Sequence, residues 1–275
     1  RTDSRIPSVL LAKVTRGKIP CGMESGTDRA RWAPLAAALH AYLRGNREAR
    51  LCVRTDLGTT EEWPAALFFR PPDQFPELER EALDLCGRRV IDVGAGAGPH
   101  ALELRRRGHE VLAVESIPEI AEIIAERGLD TVTVSCLDDL PAGSADTVLM
   151  LMNGLGLAGT LAGLTPLLRS SARLLAPGGR IVADSTDPRH FLELDDGDPI
   201  VGQDGRYGGE VQFQIEYGGR RGEPFPFLYL DAETLENHAF RAGLSLEDTR
   251  PFADGTYLAI LAGAADSSSP PAEDG

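Results

Sequence analysis

Three glycines at alternate positions follow a short apolar run in this chain. The run Val-Ile-Asp-Val leads into Gly94, Gly96 and Gly98, and a second apolar run ends at Glu115. This layout is typical of a nucleotide-binding β–loop–α–β unit. Glycines permit a tight turn and let a ligand approach main-chain N–H groups, and the helix that follows offers N–H donors to an anionic group. Glu115, at the tip of the second strand, can accept hydrogen bonds from both hydroxyls of a ribose.

The spacing of the glycines distinguishes between classes of nucleotide. A dinucleotide-binding loop has the pattern G-x-G-x-x-G, whereas this chain has G-x-G-x-G followed by Pro99 and His100. Asp92 stands two residues before the first glycine. An acid at that place opposes a pyrophosphate and suits a ligand with a cationic amino group. The loop therefore favours a nucleotide that carries an amino group.

Strands and helices are predicted to alternate around this loop. Apolar runs predict the strands, helical spacing of apolar residues predicts the helices, and Gly108 and Gly128 end two of the helices. Such alternation implies a parallel, doubly wound sheet. The predicted strands are residues 89–94, 110–115, 131–135, 146–152 and 180–184, and the predicted helices are residues 76–86, 98–107, 118–127 and about 160–175.

The two flanking parts of the chain have other patterns. Residues 32–43 carry apolar side chains at helical spacing, which predicts an N-terminal helical cap. Residues 210–217 alternate between apolar and polar side chains, Gly218-Gly219 follows, and a second run covers 225–230. This pattern predicts a β-hairpin. A helix over 232–242 and strands over 244–250 and 256–262 complete the predicted elements.

Composition argues against several classes of protein. The net charge of −14 and the pI of about 4.8 oppose binding to a phosphate backbone. The four cysteines lie far apart without a C-x-x-C pair, which argues against a zinc or iron–sulfur site and fits a reducing compartment. No apolar run reaches the roughly 18 residues of a membrane span. We expect a cytoplasmic protein with no metal, nucleic-acid or membrane partner, and the sequence leaves a homodimer open.

Four features together resemble the class I S-adenosylmethionine (SAM) dependent methyltransferases over roughly residues 75–262. They are the glycine loop, Glu115, the segment 136–153, and the run Leu-Ala-Pro-Gly-Gly at 175–179 before the fifth strand. The resemblance implies an α/β fold with a doubly wound seven-stranded sheet, mostly parallel with an antiparallel last strand. The helical cap precedes this sheet and the β-hairpin is an insertion in it. SAM is the implied cofactor, and methyl transfer the implied reaction.

The resemblance also implies which residues bind the cofactor. The loop glycines would contact the methionine and ribose parts of SAM, with Asp92 near its ammonium group, and Glu115 would bind the ribose hydroxyls. Cys136 stands where many members have Asp, so Asp138 or a backbone carbonyl would contact the adenine amine. The full set of implied cofactor residues is Asp92, Gly94, Ala95, Gly96, Gly98, Glu115, Ser116, Ile117, Leu137, Asp138, Met152 and Asn153.

Methyl transfer from a sulfonium needs little chemistry from the protein, which mainly aligns the reactants and excludes water. A base is needed only if the acceptor must lose a proton. His190 and Asp187, after the fifth strand, are the candidate bases, and the resemblance implies that Asn153 would border the methyl group. Arg70 is a candidate to clamp a carboxylate of the acceptor or of SAM. The alternatives are a surface histidine, an Asp that starts a turn, and a surface ion pair.

The loop after the fourth strand bears on the acceptor. Met152-Asn153-Gly154 lacks the Asn-Pro-Pro-aromatic signature of enzymes that methylate nucleobase or glutamine amines. Together with the acidic charge, this absence predicts a small-molecule acceptor, in bacterial secondary metabolism. The aromatic residues Phe225, Phe227 and Tyr229 of the hairpin predict a lid over an apolar acceptor, or else they pack the hairpin onto the sheet.

Other functions remain open at this stage. An NAD-dependent oxidoreductase would have its third glycine one residue later and a hydride-transfer site, and neither is evident. A non-catalytic SAM-binding protein is a second alternative, and an aminopropyl transferase, which would need more acids near the sulfonium, is a third. The predicted organisation is a flexible basic arm (1–22), the helical cap (23–74), the SAM-binding methyltransferase domain (75–264) with a substrate-lid insertion (190–230), and a disordered tail (265–275).

Overall fold

The computed structural model describes residues 25–134, 136–195, 197–202 and 205–263. The predicted basic arm (1–22) and the predicted disordered tail (265–275) lie outside the described residues. None of the described helices is both long and apolar enough to cross a membrane.

The described elements are named in chain order. The helices are α1 (Ser25–Leu43), α2 (Glu77–Asp84), α3 (Pro99–Arg106), α4 (Pro118–Glu126), α5 (Leu161–Leu174), α6 (Pro188–Leu192) and α7 (Ala232–Arg241). The strands are β1 (Arg50–Thr55), β2 (Thr60–Pro64), β3 (Arg89–Val93), β4 (Glu110–Glu115), β5 (Thr131–Thr133), β6 (Ala145–Met150), β7 (Leu175–Thr186), β8 (Glu210–Tyr217), β9 (Arg220–Arg221), β10 (Phe225–Leu228), β11 (Leu244–Pro251) and β12 (Thr256–Gly263). Short 3₁₀ turns cover Ala65–Phe69, Pro72–Gln74, Leu137–Asp139 and Gly154–Ala158.

Seven strands form the larger sheet, in the order β11-β12-β7-β6-β3-β4-β5. The five strands β7, β6, β3, β4 and β5 are parallel to one another, while β12 runs antiparallel to β7 and to β11. This arrangement confirms the predicted doubly wound α/β sheet and its antiparallel last strand. The carboxyl ends of β3, β4 and β6 therefore lie side by side, at the edge where such sheets bind ligands.

Local sequence explains where several helices begin. Pro99, Pro118 and Pro188 each stand in the first turn of a helix, where a missing N–H costs nothing and the fixed φ is already helical. Gly108 and Gly128 adopt positive φ just after two of these helices, as the sequence predicts. The prolines and glycines therefore set where the short helices between the parallel strands begin and end.

A second, smaller sheet is antiparallel, with the order β10-β8-β1-β2 and β9 paired to the end of β8. Val53 of β1 pairs with Ile215 of β8, and Phe225 of β10 pairs with Phe213 of β8. The predicted hairpin therefore forms, but β8 also lies in the interior of a sheet. The apolar face of this sheet packs with α1, where Leu39 and Leu51 are fully buried.

The predicted N-terminal helical cap (23–74) needs correction, because it contains the strands β1 and β2 as well as α1. Residues 50–55 alternate in burial, with Leu51 and Val53 inside. That alternation favours a strand, which pairs with the nearby β2 on one edge and, on the other edge, with β8 some 160 residues further along the chain. The inserted hairpin is joined to the N-terminal segment, because β8 pairs with β1.

Candidate active site

The glycine loop follows β3 and has an open backbone. Gly94, Gly96 and Gly98 have φ values of 71°, 58° and 79°, which is the left-handed region that side chains disfavour. Gly94 is exposed and Gly96 is half-buried, so a ligand can reach their main chain. A Cβ at Gly96 would lie 3.9 Å from the Phe68 ring, and one at Gly94 would lie 2.8 Å from Leu157. Two other segments of the chain therefore border the loop.

Glu115, at the end of β4, is tied to this loop. Its Oε2 accepts the N–H of Gly96 at 3.2 Å, and its Oε1 accepts the N–H of Ile117 at 3.1 Å. The side chain is buried, and this burial raises the pKa of Glu115 against the lowering effect of the backbone hydrogen bonds. Oε1 also accepts the hydroxyl of Ser116 at 3.5 Å, whereas Oε2 has a second lone pair that can accept a ligand hydroxyl.

Asp92 lies beneath the loop. Its side chain is 2% exposed, and its Oδ2 has no hydrogen-bond partner among the described residues. Burial raises the pKa of Asp92 to about 6, although the nearby His100 and a hydrogen bond from the Ala101 backbone oppose the shift. A buried carboxyl oxygen without a partner is costly unless something else satisfies it.

A buried ion pair lies beside Asp92. Arg70 Nη2 donates to Glu79 Oε1, and His100 Nε2 donates to Glu79 Oε2 at 2.8 Å. Burial acts to raise the pKa of Glu79, but the hydrogen bond from His100 and the charge of Arg70 outweigh it, so this pKa is lowered. Arg70 is thus in an ion pair as the alternative predicted, but the pair is buried and not on the surface. Its Nε has no partner among the described residues.

The loop after β6 has an unusual backbone. Met152 and Asn153 have φ values of 65° and 57°, and both are non-glycine residues in the left-handed region. Asp184 at the end of β7 holds this loop, because its Oδ1 accepts the N–H of Gly154 at 2.9 Å and its carboxylate also accepts the N–H of Asn153. Burial raises the pKa of Asp184 to about 6 against these bonds. Asn153 Oδ1 accepts the hydroxyl of Thr186 at 2.8 Å.

A cavity of about 750 Å³ opens beside Asn153 and Thr186. The small sheet forms one wall, and α6 with the segment up to β8 forms another. His190 is at this cavity, so the structure brings two of the four predicted catalytic residues, Asn153 and His190, to one space. Its lining includes Glu61, Trp63, Asn153, Thr186, His190, Phe213 and Tyr229.

The other two predicted catalytic residues lie elsewhere. Asp187 is the N-cap of α6, where its Oδ1 accepts the N–H of Arg189 at 2.9 Å, and it also pairs with the Arg189 guanidinium. Neither Asp187 nor Arg70 is among the described residues that line the cavity. The Asp187 carboxylate starts a turn, as the alternative predicted, and the Arg70 guanidinium is paired with Glu79.

The predicted adenine residues follow the ends of β4 and β5. Ile117 is buried at the N-cap of α4, next to Ser116, and Leu137 is buried in a 3₁₀ turn. Asp138, in the same turn, is more than half exposed and its Oδ1 accepts from Arg173 at 3.3 Å. Its charge is therefore already partly neutralised.

The three predicted lid aromatics have separate surroundings. Phe225 is buried against Trp32, with ring centroids 4.4 Å apart, and it packs the small sheet onto α1. Phe227 stacks on Phe213 and touches the loop after β6, since a Cβ at Gly156 would lie 2.2 Å from its ring. Only Tyr229 of the three lines the cavity.

Sequence reasoning missed Glu79, Asp184 and Thr186. A signal for Asp184 was present, because it ends a buried apolar run, as Glu115 does. Glu79 gave no such signal, since its position in an amphipathic helix is ordinary.

Among the described residues, no group of three or more His, Cys, Asp or Glu side chains is placed to hold a metal ion.

Comparison with known proteins identifies relatives of this chain. A family profile described as "Methyltransferase domain" matches residues 91–183. A solved structure of a SAM-dependent methyltransferase from Bacteroides fragilis, in complex with S-adenosyl-L-homocysteine, is 35% identical with a TM-score of 0.74. The alignment covers 86% of this chain and 96% of that one.

Two curated relatives match a shorter part. A ubiquinone biosynthesis O-methyltransferase from Xanthomonas oryzae pv. oryzae is 34% identical over 107 residues, which is 36% of this chain and 43% of the relative. A cypemycin N-terminal methyltransferase from a Streptomyces species is 35% identical over 112 residues, which is 39% of this chain and 45% of the relative. The chain thus spans less than half of the length of these two relatives.

Proposed function

This chain belongs to the class I SAM-dependent methyltransferases, and from that premise we propose that it transfers the methyl group of SAM to a small-molecule acceptor held in the cavity. One observation carries the proposal. The segment Asn153 to Ala158 borders both spaces, because Leu157 lies against Gly94 of the glycine loop while Asn153 lines the cavity. An acceptor in the cavity would therefore adjoin a cofactor on the loop.

The residues around the glycine loop fit SAM. The buried group formed by Asp92, Glu79, Asp184, Arg70 and His100 has three carboxyls against one guanidinium and one imidazole, so a cationic ligand would complement its excess of acidic groups. We assign the ammonium group of SAM to the free Oδ2 of Asp92 and the ribose hydroxyls to Glu115. We assign the adenine to the surface of Ser116, Ile117, Leu137 and Asp138. Bound SAM supplies a methyl group that its sulfonium already activates.

The role of the cavity residues follows from their positions. Asn153 and Thr186 form the part of the cavity wall beside the glycine loop, and the small sheet shields the acceptor from water. His190 is the one histidine of the described lining, and it could accept a proton from an acceptor hydroxyl or ammonium where deprotonation is needed. Its ring packs on Gly255, since a Cβ there would lie 2.5 Å from the His190 ring.

We place this reaction in bacterial biosynthesis, as part of secondary metabolism. Support comes from a cavity of the size that small-molecule ligands occupy and from bacterial relatives whose names refer to biosynthesis and to cypemycin.

The first test is calorimetric titration with S-adenosylhomocysteine (SAH), SAM and NAD, on the wild type and on Glu115→Ala. We expect binding of SAH and SAM, at least tenfold weaker in the variant, and no binding of NAD. Selective binding of NAD, or binding of neither SAH nor SAM, would refute the proposal. Turnover is then measured as SAH release with a library of small-molecule acceptors. His190→Gln should lower kcat with little change in the SAH dissociation constant if His190 is the base.

A further inference from the structure

The wall of the cavity formed by the small sheet combines one carboxylate with aromatic rings. Glu61 and Trp63 lie two residues apart on β2, so they point to the same face of the sheet. Trp63 Nε1 donates to Glu61 Oε2 at 2.9 Å, and both residues line the cavity. This hydrogen bond holds the carboxylate beside the indole ring.

Two further rings continue this wall. The Trp63 ring lies edge-on to Phe213, with centroids 6.1 Å apart, and Phe213 and Tyr229 are 6.2 Å apart. Tyr229 also contacts Phe191 edge-on at 5.1 Å. Burial and, second to it, the charge of Glu61 raise the pKa of Tyr229 to about 12, so its ring stays neutral at physiological pH. The faces of such rings attract cations, and most strongly when the cation is partly removed from water.

Most of the other charged side chains at the cavity are acidic, as Glu61 is. Asp56, Glu193 and Glu210 also line it, whereas Arg206 is the one arginine of the described lining and lies 3.9 Å from the Glu210 carboxylate. These charges repel an anionic acceptor such as a carboxylate or a phosphate.

We propose that Glu61, Trp63, Phe213 and Tyr229 form a binding subsite for an organic ammonium group, so that the acceptor is an amine-bearing molecule with an apolar or aromatic body. This inference rests on the proposed function, because it concerns the acceptor of the same reaction. Glu61 supplies the opposite charge and a hydrogen-bond acceptor, and the rings cover the apolar body.

Three probes of similar shape and different charge test the subsite. The SAH-saturated protein is titrated calorimetrically at pH 7.5 with 2-phenylethylamine, 2-phenylethanol and 3-phenylpropionate. We expect the amine to bind at least tenfold more tightly than the alcohol and the carboxylate to bind weakest. Glu61→Gln should bring the amine and the alcohol to within about threefold of each other. Glu62→Gln is the matched control, because Glu62 neighbours Glu61 on β2 and is exposed as Glu61 is, but is not in the described lining.

The outcomes separate the two proposals. If SAH binds but the amine binds no more tightly than the alcohol, the ammonium subsite is refuted while the methyltransferase assignment stands. An unchanged preference in Glu61→Gln, with SAH binding intact, refutes it as well. If SAH does not bind to the wild type, the proposed function itself fails. The wild-type comparison of the three probes decides the matter even if Glu61→Gln does not fold.

Discussion

Asp184 and Gly154 connect the ends of two neighbouring strands, because Asp184 Oδ1 accepts the Gly154 N–H at 2.9 Å. The bond holds the loop in which Met152 and Asn153 have positive φ. A Cβ at Gly154 would lie 2.7 Å from the Cβ of Met150, so a residue with a side chain would clash with β6 in this loop conformation. A buried carboxylate thus fixes the backbone that separates the glycine loop from the cavity.

Replacing Asp184 should test this relationship. Asp184→Ala leaves the N–H groups of Asn153 and Gly154 without their acceptor, and we expect a loss of about 2 to 4 kcal/mol in the free energy of unfolding. The SAH dissociation constant should rise at least tenfold. Asp184→Asn keeps an acceptor oxygen and should lose less of both. Urea denaturation and calorimetry measure the two effects, and equal losses in both variants would contradict the role of the oxygen.

Gly96 and Gly178 form a matched pair for the glycine loop. Both have left-handed φ, 58° and 75°, and no atom lies within 3.4 Å of a Cβ built at either. Substitution by Ala should cost each about 1 kcal/mol of stability through backbone strain. Only Gly96→Ala should also weaken SAH binding, by at least tenfold, because only Gly96 borders the proposed cofactor site. Similar SAH affinities in the two variants would argue against that site.

Asp92 should make stability depend on pH. Burial raises its pKa from 3.8 to about 6, so its contribution to stability is fully present below about pH 4 and is lost as the pH rises through 6. The stability of Asp92→Asn relative to the wild type should therefore rise by about 2 to 4 kcal/mol from pH 4 to pH 7.5. Urea denaturation at several pH values, without ligand, measures the difference.

Asp254 provides a control of opposite sign. Hydrogen bonds from Thr256 lower its pKa, so its stability contribution is present at neutral pH and is lost on acidification. Asp254→Asn should be less stable than the wild type at pH 7.5, and the difference in stability should close towards pH 3.

For Asp92→Asn, SAH binding at pH 7.5 should weaken at least tenfold despite the gain in stability. A difference from the wild type that does not vary with pH would contradict the assignment of Asp92.

Gly156 and Phe227 should be energetically coupled. A Cβ at Gly156 would lie 2.2 Å from the Phe227 ring, and an aromatic ring whose other side stacks on Phe213 has little room to move. Gly156→Ala should cost about 1 to 3 kcal/mol, and Phe227→Leu in the same chain should recover part of this loss. Thermal denaturation of the four proteins of this double-mutant cycle measures the coupling. Additive effects on stability would show that the turn after β6 and the small sheet are not coupled through this contact.

The sequence by itself determined the larger sheet and the glycine loop. Prolines in the first turns of helices, glycines after them, apolar runs, and the acids Asp92 and Glu115 at strand ends are local features. Their backbone consequences follow within a few residues, so no distant contact is needed to read them. For the same reason, the N-cap role of Asp187 could be foreseen as an alternative.

Only the tertiary structure decided the smaller sheet and the cavity beside Asn153. The pairing of β1 with β8 joins segments about 160 residues apart, and Glu61 and Tyr229 reach one wall only through that pairing. The roles of single residues likewise depended on whether packing buried their side chains. Arg70 and Glu79 form a buried ion pair, and Asp184 holds a loop, because packing excludes water around them. Such effects depend on which distant side chains share a space, and local sequence spacing does not encode that.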